Sequence, residues 1–274
     1  MTSILTNNGA MVALQTLKTI NNNLENTQNA ISTGKEIATA KDNSAIWAIS
    51  KVMESDVSGF NAVSDSLALG ESTVAVALAG AEQITELLKE MKEKVVAATG
   101  ENVDNDKLDA DVTELKNQIT SIISASQFNG ANLLNSEGGD MTVLSSLDRD
   151  SAGDISSSNI TVSSVNFESN LDLTTVDVSS STAADASISE IELLIQTAVD
   201  GAAALGASAS RIEKQSEFVS KVTDAMKSGI GSLVDTDMEE ASARLKALQT
   251  QQQLGVQALS IANSAPQTLQ QLFR

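Results

Sequence analysis

Residues 53–95 read MESDVSGFNAVSDSLALGESTVAVALAGAEQITELLKEMKEKV, and the apolar positions in this stretch decide the architecture. Met53, Val57, Phe60, Val63 and Leu67 follow one another at spacings of three and four. After a gap at Gly70-Glu71 the series resumes with Val74, Leu78, Ala81, Ile84, Leu88, Met91 and Val95. Alternating threes and fours draw one stripe along a helix, and a stripe kept over many heptads is the pattern of a coiled coil. A helix over 50–98 would run roughly 70 Å at about 1.5 Å per residue, far beyond an ordinary globular helix.

The same spacing recurs elsewhere. One seam runs Leu108, Val112, Leu115, Ile119, Ile122, and another runs from Ile188 through Ile191, Ile195, Leu205 and Ile212 to Val219 and Leu233. Both ends of the chain carry seams too. Ala10, Leu14, Leu17, Leu24 and Ile31 line one side of the first segment. Met238, Ala241, Leu245, Leu248, Gln252, Gly255, Leu259, Ala262, Leu269 and Phe273 line the last, with Leu254, Ala258, Ile261 and Leu272 forming a second stripe beside them. A helix apolar on two sides is marginal alone in water and is satisfied when several neighbours cover it. The ends are therefore expected to order on assembly. Pro266 is expected to kink the last helix, because it removes one backbone donor and crowds the preceding turn.

Mid-chain the pattern changes. Residues 135–185 hold thirteen Ser, nine acidic residues and one basic residue, Arg149. Apolar and polar residues alternate in Ile160-Thr-Val162 and in Val176-Asp-Val178, the period of a half-buried strand. The fold expected is mainly α: long antiparallel coiled-coil helices with both termini paired, plus a small β-hairpin insert mid-chain.

Composition removes whole classes of chemistry. The chain of 274 residues has no His and no Cys, which excludes Ser-His-Asp and Cys-His nucleophiles, His-ligated zinc, disulfides and iron–sulfur clusters. No apolar run reaches the ~20 residues of a spanning helix, and the start lacks the basic and apolar segments of a cleaved leader. No catalytic residue, metal ligand or cofactor is expected. The formal charge is −19, of which residues 1–40 contribute zero and 241–274 contribute +3. The stretch 41–240 then carries −22. Near-neutral ends fit burial in an assembly, and an acidic body repels nucleic acid and anionic lipid.

Apparent motifs dissolve on inspection. Asp104, Asp106, Asp109, Asp111 and Glu114 lack the glycine and terminal glutamate spacing of a calcium loop, and read as a helix start favoured by the helix dipole. Ser32-Thr-Gly-Lys35 lacks the full phosphate-loop pattern, so Gly34 reads as a helix C-cap. Asn129-Gly130 is a turn signal. Trp47, the lone Trp, is expected to anchor the junction between the terminal helices and the main body.

Three stretches carry a family resemblance. Ile31-Ser-Thr-Gly-Lys-Glu-Ile-Ala-Thr-Ala-Lys-Asp-Asn-Ser-Ala-Ile-Trp-Ala-Ile49 closely resembles the N-terminal signature of bacterial flagellins. Ser126-Gln-Phe-Asn-Gly-Ala-Asn-Leu-Leu134 resembles that family's Q-F-N-G turn, and 253–263 with the ending Leu272-Phe-Arg274 resembles its C-terminal signature. The match spans roughly 1–135 and 186–274 in the right order, and the Ile-Trp pair and short length resemble the alphaproteobacterial type.

The resemblance implies a flagellar filament subunit for swimming motility, extracellular, exported unfolded by the flagellar type III apparatus without a cleaved signal peptide. It implies an inner core from 1–42 and 235–274, rod helices at 43–134 and 186–234, and a variable, surface-facing insert at 135–185. Partners would be further copies of the chain, an export chaperone, the filament cap and the hook–filament junction proteins, with no nucleic acid and no membrane insertion. A junction protein and a secreted adhesin or immune ligand are the alternative roles. The polymerisation seam would comprise Leu14, Leu17, Leu24, Ile31, Leu245, Leu248, Leu259, Ala262, Leu269 and Phe273. In this family an animal innate-immune receptor reads a rod face resembling L-Q-R-V-R-E-L; here that stretch is Leu88-Lys-Glu-Met-Lys-Glu-Lys94. Leu88, Glu90, Lys92 and Lys94 would form a poor receptor face, since Glu90 stands for a base and Lys94 for an apolar residue.

Overall fold

The computed structural model describes residues 7–150 and 152–272. The order of elements is α1 (Asn8–Thr33), α2 (Ser44–Ala98), α3 (Asn105–Ala125), β1 (Met141–Arg149), β2 (Ile155–Val162), α4 (Phe167–Asn170), a short 3₁₀ turn at Leu173–Thr175, α5 (Ser181–Val234) and α6 (Met238–Leu272). Two compact units result. Residues 1–55 with 225–274 form unit 1, and 56–224 form unit 2. Both boundaries fall inside long helices rather than in loops.

In unit 2 the coiled-coil period of α2 becomes the core. Val63, Leu67, Val74, Ala77, Ala81, Ile84, Leu88, Met91, Val95 and Ala98 are all buried. Gly70, the gap in the sequence pattern, sits buried in that same stripe without breaking the helix. On α5, Ala184, Ile191, Leu194, Ala198, Leu205, Ile212 and Val219 are buried, and α3 adds Val112, Leu115, Ile119 and Ile123. Each buried Val, Leu, Ile or Met among them contributes about 1.5–3 kcal/mol, and each Ala less. Exposed ion pairs such as Lys94–Asp111, at 2.8 Å, add little beside this because water screens them. Apolar burial therefore holds the unit together. α2 is also the one described helix long and apolar enough to cross a bilayer, but its stripe is spent on this core.

Between α3 and the insert, the chain turns at Phe128-Asn-Gly-Ala131. Asn129 and Gly130 both have positive φ, 49° and 84°, and the Phe128 and Ala131 backbones exchange hydrogen bonds at 2.9 and 3.0 Å. That is the geometry for which Asn-Gly is preferred. Buried Asn132 then donates to the Ile123 carbonyl and accepts from the Leu134 amide.

The insert is one antiparallel hairpin, β1 with β2, with an irregularity between Leu144 and Ser146. Strand β1 is keyed onto α2. A Cβ on Gly59 would stand 2.7 Å from Leu147, and one on Gly70 2.6 Å from Val143, so both side chains sit in notches that glycine leaves open. Gly59 and Gly70 are eleven residues apart, three full turns, and face the same way. Polar contacts hold the same register. The Leu144 amide donates to Ser66 Oγ, Gln215 Nε2 of α5 donates to the Ser145 carbonyl, and Arg149 meets Asp56 at 2.5 Å.

The expected strand at Val176-Asp-Val178 is absent. Its apolar residues are buried as alternation implies, but its backbone is engaged by side chains. Ser187 Oγ accepts from the Asp177 amide and donates to the Asp177 carbonyl, and Lys116 Nζ donates to the Val176 carbonyl. Among the described residues no strand pairs with it, and the segment is a connector whose two valines are buried. Position 266 lies within α6 as assigned. The side chain of Leu269, and all of Phe273, lie outside the described residues.

Candidate assembly surface

The terminal helices meet in unit 1. α1 begins with Asn7, whose side chain accepts from the Ala10 amide and donates to the Ala262 carbonyl. Gln252 of α6 donates to Asn21 at 2.7 Å. A Cβ on Gly255 would stand 2.9 Å from Leu17. Pairings of 7 with 262, 17 with 255 and 21 with 252 fix an antiparallel pair.

The pair is thinly buried. Thr27 is the one buried residue described in α1, and Ala241 and Leu248 are the buried ones described in α6. Of the expected seam, Leu248 is buried and Leu17, Leu24, Ile31, Leu245, Leu259 and Ala262 are half-buried between the two helices. Leu14, also expected in the seam, keeps 57% of its surface in water in the single chain. Met11, Val12, Leu254, Val256 and Ile261 are exposed as well, Ile261 to 71%. By the antiparallel pairing these residues gather at one end of the helix pair. A two-helix pair has only one face to hide, so a helix apolar on two sides must leave the other in water.

The other end is closed by the first signature stretch. Gly34 takes φ 71° as the C-cap of α1, a conformation costly for other residues. There the two chain crossings bond to each other: the Glu36 amide donates to the Val234 carbonyl at 2.8 Å, and the Thr236 amide to the Gly34 carbonyl at 3.0 Å. Next, Asp42 accepts from the Ala38 and Thr39 amides and the Thr39 hydroxyl. Those bonds, led by the one from the Thr39 amide, hold its carboxyl below the usual range. Asn43 accepts from the Ala45 and Ile46 amides and so caps α2. The Lys-Asp-Asn run is thus a turn closure and a helix start. Neither role needs a ligand.

Trp47 is half-buried in the first turn of α2, within unit 1. Among the expected receptor-face residues Leu88 is fully buried and Glu90 is exposed. Lys92 pairs with Glu192, and Lys94 with Asp111, whose hydrogen bond raises the lysine's pKa. The described residues hold no group of three or more acidic side chains placed to bind a metal.

Sequence reading by spacing alone missed Met11, Val12 and Val256. Their signal is apolar side chains at positions off the paired stripe.

Residues 4–138 match the family described as bacterial flagellin N-terminal helical region, and 188–273 match the flagellin C-terminal helical region. The chain is 40% identical to flagellin FljO of Caulobacter vibrioides, over 100% of this chain and 99% of that one. It is 38% identical to flagellin C of Rhizobium meliloti, over 100% of both. It is also 40% identical to a flagellin of Brucella melitensis, again over 100% of both. A solved structure, that of Bacillus cereus flagellin, aligns at a TM-score of 0.48 and 22% identity, over 55% of this chain and 86% of that one. With both terminal regions matched in order around the hairpin insert, the chain belongs to the bacterial flagellin family.

Proposed function

We propose that this flagellin builds the flagellar filament by burying the exposed apolar end of its α1–α6 pair against further copies of itself. The observation that carries this reading is the cluster of Met11, Val12, Leu14, Leu254, Val256 and Ile261, exposed on helices that carry few charges. Apolar side chains left in water on both helices of one pair are surface that an assembly can cover. The seam of Leu17, Leu24, Ile31, Leu245, Leu248, Leu259 and Ala262, extended by Leu269 and Phe273, would then hold each pair together inside the polymer, with Trp47 anchoring the chain where α2 begins. Residues 1–42 with 235–274 would form the filament's inner core, 43–134 with 186–234 its rod, and 135–185 its outward part. The role is structural and not enzymatic, and no cofactor enters it. Export in an unfolded state through the flagellar type III route, with chaperone, cap and junction proteins as partners, follows from the same reading.

Ile261→Asp tests it. The substitution touches nothing buried, so the monomer should melt unchanged, while purified chains should fail to form filaments visible by electron microscopy. Filaments of normal length and number from this variant would remove the reading.

We also propose that the chain is a weak ligand for the animal receptor that reads flagellin rods. The observation favouring this is that Leu88 is inaccessible and Lys92 and Lys94 are occupied by Glu192 and Asp111. A full reporter-cell response at concentrations that saturate with other flagellins would overturn it.

A further inference from the structure

Phe218 differs from the other described phenylalanines. Phe60 and Phe167 are buried and Phe128 is half-buried, while Phe218, on α5, keeps 55% of its surface in water. Isolated exposed apolar side chains are ordinary, but the surroundings of this one are specific. Lys214 and Lys221 stand one helical turn to either side, on the same face. Lys221 pairs with Glu217 at 2.6 Å, and Lys214 has no ion pair among the described residues. The ring is a knob between cations, on a chain in which acids outnumber bases 36 to 17.

The matching hole lies elsewhere in unit 2. Ala79 of α2 with Val199 and Ala202 of α5 line a groove of about 480 Å³, together with the exposed carboxylates of Glu82 and Glu86. Two alanines leave room for a ring, and the two acids beside them are opposite in charge to the lysines that flank Phe218. Glu86 is paired with Lys89 at 2.8 Å. Glu82 has no ion pair among the described residues, as Lys214 has none.

We propose that Phe218 of one copy inserts into the Ala79–Ala202 groove of the next, with Lys214 meeting Glu82. Shape and charge both select a second copy of this chain as the occupant. Because knob and hole occupy different places on one molecule, the contact is heterologous and propagates instead of closing into a dimer. On α5 the knob lies 16 to 19 residues beyond the groove, so parallel neighbours are staggered by roughly 24–28 Å at about 1.5 Å per residue. Aromatic side chains seated in a pocket dominate interface energetics. This contact rests on the reading that the chain polymerises, and adds to it an address on the rod.

The chain lacks cysteine, which makes introduced thiols unique reporters. Filaments of the Phe218→Cys, Ala202→Cys double variant, treated with a short bis-maleimide, should give a ladder of dimers, trimers and higher species on a denaturing gel. Either single variant alone should give none, and an equal mixture of the two should give dimers only. Filaments that form but show no ladder overturn the contact. Charge exchange provides an arm that keeps the knob in place. Lys214→Glu and Glu82→Lys should each raise the concentration needed for polymerisation about tenfold, and the two together should restore it. Single variants that polymerise like the parent, or a double variant that does not recover, also overturn the contact. A parent chain that forms no filament removes the polymerisation reading and this contact with it.

Discussion

Gly201 lies under the ring of Phe167: a Cβ built on it would stand 2.6 Å from the Phe167 Cε1 and 2.4 Å from a methyl of Val165. Phe167 is fully buried, and α5 thus gives up a side chain so that the insert can seat its aromatic anchor.

Gly201→Ala should therefore destabilise unit 2. Alanine gains about 1 kcal/mol in helix propensity, but overpacking costs about 1–3 kcal/mol, and the clash is with a Val165 methyl and two atoms of the buried Phe167 ring. Gly206, one and a half turns further along the same helix, has nothing within 4 Å of its Cβ position. Gly206→Ala should stabilise by about 0.5–1 kcal/mol. Urea unfolding of the two variants should move in opposite directions from the parent, and a shared direction would refute the packing argument.

Leu248→Ala should loosen the terminal pair. Leu248 is the one buried leucine described on α6, and truncating a buried leucine costs about 2–5 kcal/mol. The low end is expected, because its surroundings are only half-buried and can collapse. Hydrogen exchange in α1 should quicken several-fold while exchange in α3 stays as it was.

Arg149→Ala should free the hairpin end. The guanidinium bridges Asp56 and the Gly153 carbonyl, and the pair is partly shielded from solvent. A small local loss is expected, as for other surface ion pairs, seen as faster exchange of the Asp150 and Asp154 amides, with no change in the melting of unit 1.

Acid should open the loop before α2. Asp42 has a lowered pKa in the fold, chiefly through the Thr39 amide. A depressed carboxyl stabilises the fold above its unfolded value, and the effect disappears as pH falls through the folded one. The window is therefore below about pH 4. The Thr39 amide should exchange slowly at pH 6 and quickly, relative to its intrinsic rate, at pH 2.5. Asp42→Asn should remove most of that pH dependence, and an unchanged profile in the variant would contradict the assignment.

The long helices were legible because their information is periodic: from Val63 to Val95 the burial follows the spacing of the residues. What periodicity could not show is what a gap in it means. Gly70 read as an interruption and is a notch for Val143, because a residue without a side chain leaves no record of what presses on it. Val176 and Val178 alternated like a strand and are buried like one. The backbone of Val176 and Asp177 is bonded instead by the side chains of Lys116 on α3 and Ser187 on α5, which strand periodicity does not announce. The seam on the terminal helices was readable for the same reason as the core. Which of its members face the partner helix and which face water depended on the register set by Asn7–Ala262 and Gln252–Asn21. On that register Leu14 faces water, while Leu17 meets α6 at Gly255.

The eleven-residue interval between Gly59 and Gly70 sets where this chain can tolerate a change of length. Each residue added between them would swing one glycine about 100° out of phase with the other, and Leu147 and Val143 could no longer both find their seats. The five-residue connection between β1 and β2, residues 150–154, is held to no such phase. Insertions there would lengthen the hairpin tip and leave the strand docked, so enlargement of the protein has a permissive point at 150–154 and a forbidden interval at 59–70.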